Sequence, residues 1–181
     1  MAKGMKILAV ITGVCALCFL LLLNFTEIAL FLPLAITFCV TAYHFSMRLL
    51  VGAVVNAKYK NKMNYERAWF RERRGERKFY RAIRVHKWKK FLPTYSPETF
   101  SMENKSVEEV LMATCQAEVV HEIIIILSFV PIICIPFLGD PVVFILTSVL
   151  SALFDLIFVF IQRFNRPRLR TLLSLQQKKE Q

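Results

Sequence analysis

Four long apolar runs alternate with short polar connections along this chain, and the runs carry little of its charge. The first covers about Met5 to Leu23, the second Ile28 to Val55, the third Val119 to Leu138 and the fourth Val142 to Gln162. At 1.5 Å per residue each can cross about 30 Å of hydrocarbon as a helix. Only Asn24 to Glu27 separates the first pair. Between the second pair stands "GDP", Gly139 to Pro141, a turn signal that predicts a tight antiparallel hairpin. The predicted fold is all-α: a polytopic membrane protein with four transmembrane helices and a basic amphipathic segment lying at the interface. Its expected organisation is a transmembrane hairpin over 1–56, a basic interfacial loop over 57–108, a second transmembrane hairpin over 109–169 and a tail over 170–181.

Composition agrees with that pattern. Of 181 residues 56% are hydrophobic, yet the net charge is +11, an unusual pairing for a soluble domain. The charge is segregated: 14 of the 24 Lys and Arg fall between Lys58 and Lys90, and six more between Arg163 and Lys179. Lys3 and Lys6 can lie on the same side, and the opposite connections contain no Lys or Arg. The positive-inside rule then predicts a multi-pass protein of the cell membrane with both termini and the large loop in the cytoplasm. No small-residue cleavage site follows "FLLLLNF", so the first run reads as a span and not as a signal peptide. Five Cys, odd in number and mostly within spans, make neither a disulfide framework nor a zinc site.

The loop "NYERAWFRERRGERKFYRAIRVHKWKKFLP" reads as one helix, its dense positive charge interrupted by Trp69, Phe70, Phe79, Tyr80 and Ile83. Such a segment suits an anionic membrane surface, so membrane lipids are the expected partners and nucleic acid is not. Some of this charge serves only to set topology. "HKWKKFLPTYSPETF" reads either as an ordered loop folded back on the membrane mouth or as a solvated linker.

The candidate chemistry sits inside the apolar runs. Glu118, His121 and Glu122 share one face of the third run, within its first turns, and Ser128 lies two turns beyond His121. Ser148, Asp155 and Gln162 recur every seven residues in the fourth, followed by Asn165, Arg166 and Arg168; the second adds His44 and Arg48. Ionisable groups in spans are costly and mark functional sites by default. The competing explanation is interhelical hydrogen bonding and salt bridging that glue the spans. As a site, His121 would be a general base, with Glu118 and Glu122 beside it to fix its tautomer. Arg166, Arg168 and Asn165 would hold an anion or a developing oxyanion. Asp155 would fix Gln162 or His44. Cys115 is a conceivable acyl-carrying nucleophile, though it reads more simply as a small apolar residue. One E-x-x-H is weak evidence for a metal, and none is expected.

Three segments, "HKWKK" (86–90), "QAEVVHE" (116–122) and "FVFIQRFNRPRL" (158–169), resemble the glycosyl-4,4′-diaponeurosporenoate acyltransferase family, small bacterial membrane enzymes of carotenoid biosynthesis. The resemblance runs from about Arg84 to Leu173. It carries Trp88, Lys89, Glu118, His121, Gln162, Arg163, Asn165, Arg166, Pro167 and Arg168 over as functional positions. It implies transfer of a fatty acyl group to a hydroxyl of a lipid or glycolipid acceptor, a glycosylated carotenoid or another amphiphile, at the cytoplasmic leaflet. The expected donor is acyl-CoA or an acyl-carrier protein, with no bound cofactor. Lys87, Trp88 and Lys89 would border the substrate mouth, and Arg163, His44 and Arg48 are further binding candidates. The rival expectation is a small lipid or ion carrier, or an accessory membrane subunit, whose Glu, His and Asp form a proton relay or helix glue. The sequence leaves oligomerisation open.

Overall fold

The computed structural model describes residues 2–26, 28–88 and 105–180. Among these the regular structure is helical throughout, with no strand. Seven α-helices follow in order: α1 (Ala2–Thr26), α2 (Phe31–Tyr59), α3 (Glu76–Ala82), α4 (Val85–Trp88), α5 (Val107–Leu127), α6 (Ile135–Leu138) and α7 (Pro141–Glu180). Short 3₁₀ turns cover Ala68–Phe70 and Val130–Cys134. Four segments are long and apolar enough to cross a membrane: Lys3–Thr26, Phe31–Tyr59, Val107–Leu138 and Pro141–Lys179.

The chain's contacts divide it into two compact units. The first comprises Met1–Ala53 and Ile123–Asp155. Phe19 of α1 stacks on Phe38 of α2 at 5.4 Å and tilts against Phe31 at 6.1 Å. Ile36, Val40 and Phe144 form the buried centre, with Leu32, Ile135 and Val143 against it. Much of the rest of α1 presents bare Ile, Leu and Val, the surface expected of a helix solvated by acyl chains. The third span is interrupted here. Pro131 has no N–H for the carbonyl of Leu127, where α5 ends, and the chain continues as a 3₁₀ turn and α6. Ser128 bonds to the carbonyl of Ile124 at 2.8 Å and meets Ser151 of α7 at 2.8 Å. The predicted "GDP" hairpin is present. Gly139 (φ +71°) and Asp140 (φ +50°) are both left-handed and reverse the chain, and Pro141 opens α7 with its preset φ.

The second unit comprises Val54–Glu122 and Leu156–Gln181. Left-handed Lys60 and Asn61 stop α2, and Gln116 of α5 fastens the turn by accepting the Asn61 amide at 2.7 Å and donating to Asn56 at 3.3 Å. Val107, Val110, Leu111 and Leu169 pack α5 on α7, while Met63, Phe70 and Cys115 bury the start of the basic loop.

Three expectations from the sequence change here. The third span's helix begins at Val107, not near Val119. Ser106 and Glu109 form a reciprocal capping box, the Ser106 hydroxyl accepting the Glu109 amide at 3.2 Å and the Glu109 carboxylate accepting the Ser106 amide at 2.9 Å. Glu118, His121 and Glu122 therefore lie three or more turns inside the helix. The basic loop is not one helix. Arg71 is extended, Gly75 (φ +88°) and Arg84 (φ +56°) are left-handed, and among the described residues the 3₁₀ turn Ala68–Phe70, α3 and α4 are separate pieces. The last helix runs on well past Gln162 and through most of the stretch 170–181.

Candidate functional site

Helical periodicity builds the site in the second unit. On α7, Arg163, Arg166 and Arg170 fall at i, i+3 and i+7 and so project from one face. On α5, Leu111, Cys115, Glu118 and Glu122 do the same. Glu118 is fully buried and joins the two faces. One carboxylate oxygen accepts from Arg163 Nε at 2.8 Å, and the other accepts from Arg166. A charge that deep survives only with such bonding, because desolvation costs several kcal/mol per ion.

Each guanidinium has further partners. Arg163 also donates to Glu76 at 3.2 Å and to Glu122 at 3.5 Å, and it lies over the Trp69 ring at 5.9 Å. Arg166, 3% exposed, donates to the carbonyl of Phe70 at 3.4 Å and lies over that ring at 4.9 Å. The Trp69 indole N–H donates to Glu122 at 3.0 Å. Arg170 donates to the carbonyl of Tyr65. Trp69 and Phe70 of the loop are thus seats for arginines of α7.

Glu76 and Tyr80 extend the network outside the spans. The Tyr80 hydroxyl donates to Glu76 at 2.6 Å, and the Arg73 amide donates at 2.8 Å. Burial pushes the Glu76 carboxyl up, but the bonds from Tyr80, Arg73 and Arg163 outweigh it and hold the group below its ordinary 4.5. Burial, then the bond to Glu76, drives the Tyr80 hydroxyl far above its ordinary range. Tyr80, Phe79 and Trp88 all close on Phe160 of α7, with ring centroids at 5.4, 5.8 and 6.4 Å.

His121 lies one turn from Glu118 and stacks face to face on Phe158 of α7, with centroids 4.7 Å apart and planes 8° apart. Stacking fixes the ring plane, and both nitrogens lie in that plane. A cleft of about 310 Å³ borders the cluster, walled by Arg71, Arg77, Arg163, Arg166 and Arg170 among others.

The candidate residues separate into two groups. Glu118, Glu122, Arg163 and Arg166 converge; His121 shares their two helices, and Trp88 packs on Phe160. Gln162 and Asn165 are partly buried nearby on α7, and Lys87 is exposed. Lys89 lies outside the described residues, as does most of "HKWKKFLPTYSPETF". Arg168 is exposed, two residues and so about 200° round the helix from Arg166, which takes it out of the expected anion clamp. Cys115 is fully buried against Met63 and Phe70 as a wall of the core.

The other group belongs to the first unit. Arg48 donates to Asp155 from Nε at 3.1 Å and from a terminal nitrogen at 2.5 Å, and bonds Ser151 at 2.8 Å. Asp155, expected to fix Gln162 or His44, is paired with the partly buried Arg48. His44 is 6% exposed, and neither ring nitrogen has a hydrogen-bond partner among the described residues. Sequence reasoning missed Glu76, Tyr80 and Arg170. The signal for Glu76 was available in Gly75, which opens a short helix with an acid in its first turn.

The family model for glycosyl-4,4′-diaponeurosporenoate acyltransferases matches residues 66–175, which take in most of the basic loop, α5 and most of α7. No curated protein and no solved structure matches the chain. The match contains every residue of the Glu118 cluster, the A-E-x-x-H segment of α5 and the Q-R-F-N-R-P-R-L segment of α7. This four-span helical chain belongs to the glycosyl-4,4′-diaponeurosporenoate acyltransferase family.

Proposed function

We propose that the protein transfers a fatty acyl group from a thioester to a hydroxyl of a lipid or glycolipid acceptor at the cytoplasmic leaflet. Family membership supports acyl transfer in carotenoid-related lipid modification, and the segregated basic residues support the leaflet. The observation that carries the reading is the junction of the two motifs. Glu118 of A-E-x-x-H holds both Arg163 and Arg166 of the closing motif, with His121 one turn away on the same helix.

In this reading His121 accepts the proton of the acceptor hydroxyl as its oxygen attacks the thioester carbonyl carbon. A C–O ester bond forms, the C–S bond breaks, and the proton passes from His121 to the departing thiolate. Arg163 supplies fixed positive charge for the developing oxyanion, held in place by Glu118. Glu118 thus positions the arginines, a different part from the expected orientation of His121. The family's glycosylated carotenoid and other amphiphiles with a free hydroxyl are candidate acceptors. Lipidomics of cells lacking this gene tests the reading: an acylated lipid should disappear and return with the wild-type gene. An unchanged acyl-lipid profile overturns it.

A further inference from the structure

We infer that the cleft beside the arginine cluster seats the phosphates of a coenzyme A thioester, making acyl-CoA the acyl donor. The inference rests on the acyl-transfer reading and assigns its donor.

Five arginines line the cleft, Arg71, Arg77, Arg163, Arg166 and Arg170. Glu72 and Glu76 are the carboxylates in its lining, so three positive charges are in excess at the wall. Glu118 and Glu122 behind Arg163 and Arg166 reduce that excess without reversing it. The bonding is also incomplete. The Nε atoms of Arg166 and Arg170 are buried and lack a partner among the described residues, and Arg166 as a residue is 3% exposed. A polyanion in the cleft therefore meets net positive charge and guanidinium groups whose bonding is not saturated.

The ligand's class follows from size and lining. The cleft holds about 310 Å³, on the order of ten water volumes and more than one phosphate group fills. Apart from Phe70 and Pro167, its wall is charged or hydroxylic, with Thr171 completing it. Phe70 and Pro167 are the apolar residues in that lining, too little for an acyl chain to lie against, which argues against a phospholipid. A soluble ligand with several phosphates fits. Coenzyme A carries a diphosphate and a 3′-phosphate, whereas the pantetheine arm of a carrier protein carries a single phosphodiester.

Calorimetric titration of the full chain in phosphatidylcholine nanodiscs tests this, with coenzyme A, dephospho-coenzyme A and pantetheine as probes. Coenzyme A should bind, dephospho-coenzyme A should bind about tenfold more weakly, and pantetheine should not bind measurably. Arg71 and Arg77 are exposed, so R71Q/R77Q should keep the fold while weakening coenzyme A binding by about tenfold or more. Coenzyme A binding no better than pantetheine, or an unchanged affinity in R71Q/R77Q, overturns the inference. So does a dependence on Arg71 and Arg77 that appears only for phosphatidylglycerol added to the discs. Transfer from an acyl-carrier protein without coenzyme A binding would leave the acyltransferase reading standing and sink this donor. Coenzyme A binding without any acyl transfer would do the reverse.

Discussion

Replacing Glu118 by Gln keeps the shape of the side chain and removes the charge that buried Arg166 and partly buried Arg163 share. Arg163 would still have Glu76 and Glu122. Arg166 would lose its one carboxylate among the described residues, retaining the Phe70 carbonyl and ring. The cost therefore falls mainly on Arg166, and stranding a buried charge costs about 3–5 kcal/mol. For a chain of this length that lowers the unfolding midpoint by about 6–20 °C, at roughly 2–4 °C per kcal/mol. The chain's two Trp, Trp69 and Trp88, both belong to the second unit, so tryptophan emission during thermal unfolding in detergent reads that unit directly. Adding Arg166→Gln to Glu118→Gln should recover much of the loss, because the stranded charge goes with it. Adding Arg163→Gln should recover little. A Glu118→Gln variant within about 1 kcal/mol of wild type, or equal recovery in both double mutants, would refute the shared-carboxylate account.

Other outcomes follow from the same contacts. His44→Leu should change stability by less than about 1 kcal/mol or raise it, since an unpartnered buried imidazole is exchanged for apolar packing; a drop above about 2 kcal/mol by circular dichroism contradicts this. Glu76 has its carboxyl held below 4.5, so its stabilisation is complete above that pH and is lost as pH falls through the lowered value. The midpoint difference between wild type and Glu76→Gln should stay level from pH 7 to about pH 5 and shrink below about pH 4, whereas a pH-independent difference would count against the network. Arg168→Ala, at an exposed position, should shift stability by no more than about 0.5 kcal/mol, and a larger loss would mean that its side chain is held.

The spans and the hairpin were legible in the sequence because hydrophobic length and the "GDP" turn act locally. The Ser106–Glu109 capping box was legible too, but a hydropathy boundary at Val119 concealed it: Gln116, Glu118 and the acids at 108 and 109 lower the average while remaining helical. The partners were harder to read. Seven-residue spacing put Ser148, Asp155 and Gln162 on one stripe of α7, yet Arg48 claims Asp155 within the first unit. Basic density in the loop suggested lipid contact for Trp69 and Phe70, and only tertiary structure shows these rings and the Phe70 carbonyl receiving arginines. The loop's breaks at Gly75 and Arg84 differ in kind. The glycine is a sequence signal, whereas an arginine in the left-handed region gives none.

Acyl transfer by the purified protein is the most direct test of the central claim. Nanodiscs would be given an isotopically labelled fatty acyl thioester and a hydroxyl-bearing glycolipid extract, and the ester product followed by mass spectrometry for wild type and His121→Ala. Wild type should form labelled ester, and His121→Ala should be slower by at least about a hundredfold with unchanged tryptophan emission. Equal rates in the two proteins would contradict a base at His121 and the site built around it.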